Sequence, residues 1–205
     1  YHTIDSEMAD SFQAWQMTRC IDTQIAHIPI HGEDIPKGRF FTLPTSNWMP
    51  YTYSTNNVVM AEVAHTALAY WQAGRVEKAF SLFKGAVLDG MYMGLCPGNA
   101  GMTTYFDAAR GEAQRDFGDA VGALSRAVIE GLFGIRPDLL NGQLTVEPGF
   151  PPWESARIVH PNIEFAYFQK AHVSTYTVKP NFSRSVALRL IVPARTVEIE
   201  RLTVN

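Results

Sequence analysis

The residues able to do chemistry crowd one stretch, Gly94 to Trp153, and mostly its first part. Asp107, Glu112, Asp116 and Asp119 fall there, interleaved with Arg110 and Arg115 and beside Tyr105 and Phe106. Two carboxyl groups can serve as acid and base, or as nucleophile and acid, on a bond held between them. A loop this long inside a compact domain is usually functional or disordered. It reads as the floor of a binding or catalytic cleft. A second set lies upstream, between His27 and Asn57, where Trp48, Tyr51 and Tyr53 cluster among prolines. These aromatics read either as packing under a loop or as a ligand-lining platform. Carboxylates, aromatics and the amides of Asn56 and Asn57 together suit a neutral polyhydroxylated ligand. A phosphate site would need lysines or a glycine fingerprint, and neither is present. Each acid also has a plainer reading, solvated or capping a helix, as Asp116 would.

These loops need helices to hold them. Ile4, Met8, Phe12, Trp15, Ile21 and Ile25 recur at near-helical spacing, with Asp5 and Ser6 as caps and Pro29 as the stop. Asn56 or Asn57 caps the next helix, whose stripe is Met60, Val63, Ala64, Ala67, Leu68 and Trp71. Gly74 ends it, and Val76, Ala79, Phe80, Phe83 and Val87 start the second arm of a helical hairpin. Glu62 and His65, on one face of the first arm, read as a satisfied local pair. A third helix carries Phe117, Val121, Leu124, Val128 and Leu132 on one face, and its Gly118, Gly122 and Gly131 imply close packing on several sides.

Antiparallel helices alternate in direction, so the first and third of this group start at the same end. The loop Pro44–Asn57 and the loop Gly94–Arg115 should therefore meet there, with Trp48 or Tyr51 near Asp107 or Asp116.

Beyond Gly134 the period changes to two. Leu144/Val146, Ile163/Phe165/Tyr167, Val173/Thr175/Thr177 and Val186/Leu188/Leu190/Val192 alternate between turn signals at Asn141-Gly142, Pro180-Asn181 and Pro193. Helices followed by strands predict an α+β chain, with a helical part over 1–138 and an antiparallel β-sandwich portion over 139–205. The Ile163 and Val186 sets should face one core.

The 205 residues are 46% hydrophobic and 18% charged, enough to bury a core. A net charge of −3 gives no basic footprint for nucleic acid, and no apolar run could span a bilayer. Cys20 and Cys96 match no metal spacing and read as two unpaired, partly buried thiols. The chain opens on Tyr1 with no visible signal and closes abruptly on VEIERLTVN. It reads as a fragment of a longer polypeptide.

The runs AEVAHTALAYWQAGRVEKA, GMTTYFD, RDFGDAVGALSRAVIEGLFGI and GQLTVEPGFPPW resemble the late part of bacterial glycoside hydrolases built on an (α/α)6 toroid. There the last inner helix leads through a similar linker into a C-terminal β-sandwich. The inverting α-L-rhamnosidases and α-L-fucosidases are comparable, and the nearest likeness is to an uncharacterised domain family of carbohydrate-degrading gut-type bacteria. The likeness covers roughly Pro44 to Pro161.

The resemblance implies a partial toroid and hydrolysis of a plant or host glycan by inversion, in the periplasm or outside the cell, without a cofactor. Thr103, Thr104, Tyr105, Phe106 and Asp107 are similar to the rhamnosidase step that supplies the general base, with Asp in place of Glu. Arg115, Asp116, Phe117 and Gly118 look like the remnant of the fucosidase Asp run, which makes Asp116 a rival to Asp107. Glu112 is a possible partner acid. Trp48, Tyr51, Tyr53, Asn56, Asn57, Tyr105 and Arg115 would contact an oligo- or polysaccharide. The family's general acid comes from an earlier helix, outside this chain. The apolar helix faces would be covered by the rest of a longer chain or by a second copy. Two rival readings stand beside this one: a glycan-binding module without turnover, and a scaffold that buries its helices on a partner.

Overall fold

Helices occupy the first part of the chain and strands the last, an α+β order. The computed structural model describes residues 2–6, 8–48, 56–93, 105–107, 112–114, 118–193 and 199–204, with the backbone alone at 2, 5, 105–107 and 112–114. Two units are present: Tyr1–Leu132 with Gly149–Trp153, and Phe133–Pro148 with Glu154–Asn205.

In the first unit everything packs on α3 (Met60–Gln72), which is buried almost all round. Ala64, Ala67, Leu68 and Ala69 are completely inaccessible. Its apolar stripe lies where the spacing placed it, and Gly74 closes it with a φ of +72°. Helix α4 (Val76–Val87) packs back on α3 through Ala79, Leu82, Phe83 and Ala86, then continues as a π-helical turn over Leu88–Met93.

The third helix differs from expectation. α5 (Asp119–Arg126) and the π-helical turn Ala127–Leu132 bury Ala120, Ala123, Ala127, Gly131 and Leu132, whereas Val121 is exposed. The contact face consists mostly of small residues because α5 lies close against α3. At Gly131 an added Cβ would fall 2.2 Å from the Trp71 indole. Close packing does not explain the other two glycines, since a Cβ on Gly118 or Gly122 would meet nothing. The Trp71 indole N–H donates to the Gly149 carbonyl (2.6 Å), and the Gly149 N–H to Leu132 O (3.0 Å), which ties the segment Gly149–Trp153 to this unit.

The first helix is also not as expected. It is split into α1 (His2–Asp5) and α2 (Ser11–Gln24), and the cap of α2 is Asp10. The Asp10 carboxylate accepts from the Gln13 N–H (2.8 Å), and the Asp10 N–H donates to Gln13 Oε1 (3.0 Å). This reciprocal box contributes about 1 kcal/mol and outcompetes Asp5 and Ser6 as a start signal. The buried seam of α2 is Ala14 and Thr18, while Met8, Phe12, Trp15 and Met17 are exposed. Cys20 is a free, exposed thiol rather than a partly buried one, and Cys96 lies outside the described residues.

What fastens the far end of α2 is polar. Asp22 Oδ1 accepts from the Tyr70 hydroxyl (2.7 Å), and Asp22 Oδ2 pairs with the Arg75 guanidinium. Lys78 Nζ and His27 Nε2 stand at 3.7 and 3.8 Å from Oδ1. Burial disfavours the Asp22 charge, but the bonds from Arg75 and Tyr70 and the Lys78 charge outweigh it and hold the carboxyl below its usual range.

The second unit holds two three-stranded sheets. Strands β8 (Ser155–His160), β9 (Ile163–Lys170) and β10 (Val173–Pro180) form an antiparallel meander. Ile163, Phe165 and Tyr167 alternate into its core, as the period-two pattern requires. In the other sheet β6 (Ile135–Asp138) and β7 (Gln143–Val146) make a hairpin, with Leu144 and Val146 fully buried. Its turn is set by Asp138, whose carboxylate accepts from the Asn141 N–H and amide, and by Gly142 at φ +64°.

Strand β11 (Ala187–Leu190) overturns the all-antiparallel expectation. It runs parallel to β7, pairing Ala187 with Gln143 and Leu190 with Val146. Its alternating set does not join the Ile163 core: Leu188, Leu190 and Val192 are exposed. An edge strand has one free side, so regular alternation there need not signal burial.

Candidate functional site

The site is built where α3 begins. Strand β3 (Val58–Val59) leads directly into α3 and pairs antiparallel with β4 (Tyr105–Asp107), Val58 opposite Phe106 and Val59 opposite Tyr105. β4 in turn pairs with β5 (Glu112–Gln114), which sets Asp107 and Glu112 as register partners. The residues that lead into α3 are thus joined by backbone pairing to the Tyr105–Asp107 strand; the expected approach of Trp48 or Tyr51 to Asp107 or Asp116 involves Tyr51 and Asp116, which lie outside the described residues.

Asn56 and Asn57 precede β3 and are buried, but neither caps the helix; the cap position is Val59, with no side-chain bond. Instead they hold the neighbouring loop. The Asn56 amide donates to the Trp48 carbonyl, and the Asn57 carbonyl accepts from the Thr45 N–H (3.0 Å). Trp48 itself points outward, 72% exposed. Tyr51, Tyr53, Arg115 and Asp116 lie outside the described residues.

Two further acids share this end. Glu62 is in the first turn of α3 and Asp119 opens α5, where its carboxylate accepts from the Ala120 N–H (2.7 Å). Burial, and then the Asp119 charge, push the Glu62 carboxyl above its usual range. Helices α3 and α5 pack on one another along this part of the fold. Glu62 also borders a small pocket of about 50 Å³ between α2, the segment after β2 (Phe41–Thr42) and α3. Ile21, Ile25, Leu43 and Val63 give it apolar walls, and Thr45, Glu62 and Thr66 its polar groups.

A carboxyl whose proton affinity is raised by burial beside apolar walls is a setting common at functional sites. Reading Glu62 with His65 as a local pair overlooked this setting. The available signal was its position: a carboxylate in the first turn of an otherwise apolar helix that follows the aromatic loop.

Among the described residues no three His, Cys, Asp or Glu side chains are grouped to hold a metal ion, and no helix is long and apolar enough to cross a membrane. No family model, curated protein or solved structure matches the chain.

Proposed function

We propose that the chain is the later part of an (α/α)-toroid glycoside hydrolase with a β-sandwich behind it, acting on a plant or host glycan by inversion, in the periplasm or outside the cell. One backbone feature supports this most: β3, between Asn57 and α3, pairs with Tyr105–Phe106, and the next position, Asp107, is the register partner of Glu112. Inversion needs carboxyl groups about 6.5–9.5 Å apart, with a water between them. We assign the base to Asp107, with Glu112 as a possible partner acid. Asp116 is the alternative base.

Glycosyl fluorides test the base alone, because fluoride leaves without a proton from an acid. The chain should release fluoride from one anomer of a sugar series that includes L-rhamnosyl and L-fucosyl fluorides, giving the product of opposite configuration by NMR. Asp107→Asn should lower that rate by about 10²–10⁴-fold, and Asp116→Asn should leave it nearly unchanged. The reverse pattern would transfer the base to Asp116. Oligosaccharide binding without fluoride release from either anomer would instead select the non-catalytic module, a reading that the exposed Trp48 favours. The scaffold reading draws on exposed Met8, Phe12 and Trp15; for it, affinity for the partner would survive both acid substitutions.

A further inference from the structure

Strand β11 leaves a sheet edge open. It stands at the end of its sheet, with β7 on one side and no strand on the other among the described residues. The Ala187 N–H donates to Gly142 O (2.8 Å) and the Ile191 N–H to Val146 O (2.9 Å). Backbone groups along a strand point alternately to its two sides, so Ala187, Arg189 and Ile191 direct theirs at β7. The N–H and C=O of Leu188 and Leu190 therefore face the open side, and both leucine side chains are exposed as well. Natural edges are commonly blunted by lysines, proline or a bulge. This one carries a single charge, Arg189.

The chain also holds a segment suited to that edge. Residues 199–204, IERLTV, belong to no sheet, and Ile199, Leu202 and Val204 are exposed. Ile, Val and Thr favour strands. Laid antiparallel on β11 with Glu200 opposite Arg189, the segment sets Ile199 opposite Leu190 and Arg201 opposite Leu188. Those two flanking pairs fall where β11 directs its outward N–H and C=O groups, so each can exchange two hydrogen bonds. The central pair is then a non-hydrogen-bonded one, in which opposed side chains stand closest. Neither Arg189 nor Glu200 has an ion-pair partner among the described residues, and opposite charges in that position stabilise a strand pair.

We propose that the open edge of β11 takes up residues 199–202 of a second copy of this chain, antiparallel and in this register. In this structure the segment makes none of these bonds to its own β11. Reciprocal exchange closes a two-fold dimer in which every pair occurs twice. The proposal is independent of the glycan reading above.

Sedimentation velocity over a concentration series should show a reversible monomer–dimer equilibrium. Arg189→Glu should raise the dimer dissociation constant roughly tenfold, because two attractive pairs become two like-charge pairs. Glu200→Arg should do the same, and Arg189→Glu combined with Glu200→Arg should restore the wild-type constant. Arg201→Pro removes the N–H aimed at Leu188 O and should abolish the dimer. All three side chains are exposed, so the monomers should keep the wild-type melting temperature. A wild-type chain that stays monomeric at every concentration would overturn the proposal. So would a dimer indifferent to Arg189→Glu and Arg201→Pro, which would place the interface elsewhere. Weakening by both single charge variants without recovery in the combined one would overturn the register.

Discussion

Asp22→Ala should lower the unfolding free energy by about 3 kcal/mol at neutral pH, within the range for breaking a partly buried ion pair. The substitution leaves the Arg75 guanidinium, only 17% exposed, without its carboxylate, and removes the nearer acceptor of the Tyr70 hydroxyl, which keeps Thr18 O at 3.2 Å. α2 depends on that fastening because its buried seam is small, Ala14 and Thr18. The loss should fade in acid. Asp22 titrates lower in the folded chain than in the unfolded one, so folding is favoured where the unfolded chain still binds the proton more readily. Its contribution is complete above the unfolded value of about 3.9 and drains away as pH falls through the folded value. Urea melts of wild type and variant should be well separated at pH 7 and converge as the pH falls through the folded value of Asp22. An equal separation throughout would mean that the carboxylate charge is not what holds α2.

Gly134→Ala should be of similar size, about 3 kcal/mol, and lower the melting temperature by roughly 10 °C. Two costs add. Gly134 has a φ of +63°, where a side chain costs about 1–2 kcal/mol. In addition its Cβ would fall 1.8 Å from the Glu147 carbonyl oxygen, a backbone atom that cannot swing away. The Glu147 N–H also donates to Gly134 O at 2.9 Å, so relieving the overlap would break a bond at the base of the β6–β7 hairpin. Gly142→Ala provides the control. Its φ is nearly the same, +64°, and nothing lies within 4 Å of its Cβ. It should cost only the conformational part. Equal drops in the two variants would show that the overlap is relieved at no cost.

The glycines and the large apolar stripes differ in how far the sequence reveals them. The stripe of α3 was legible because that helix is surrounded, so that any face chosen for it is a buried one. In α1–α2 and in α5 with its π-helical turn, the stripes hold at Ile4 and Leu132, which are buried, and fail between for one shared reason. Their packed faces are Ala14/Thr18 and Ala120/Ala123/Ala127/Gly131, the small residues that close approach selects. A reading weighted by side-chain size chose the exposed Phe12, Trp15 and Val121 instead. In β9 the alternation gave the buried face correctly. In β11 it could not, because a period of two is the same for parallel and antiparallel partners and for edge and central strands. At the candidate site, the pairing of Val58–Val59 with Tyr105–Phe106 gave no signal in the sequence, since neither short run alternates long enough to read as a strand. The setting of Glu62 did not follow from helix direction, since it comes from burial and from Asp119, both imposed by tertiary packing.

The parallel pairing of β7 with β11 also bears on the order in which the second unit assembles. Parallel neighbours cannot be joined by a tight turn. Between Val146 and Ala187 the chain visits the first unit at Gly149–Trp153 and builds the whole β8–β9–β10 meander. The meander closes through short local hairpins, whereas β11 must wait for a long loop to close, an entropic cost that grows with the logarithm of its length. β11 should therefore be the last strand added in folding and the first to detach. In pulse-labelled hydrogen exchange, the amides of Ala187 and Ile191, which bond Gly142 O and Val146 O, should gain protection after those of β9. Simultaneous protection would mean that the two sheets form in one step, with β7 and β11 already paired in the transition state.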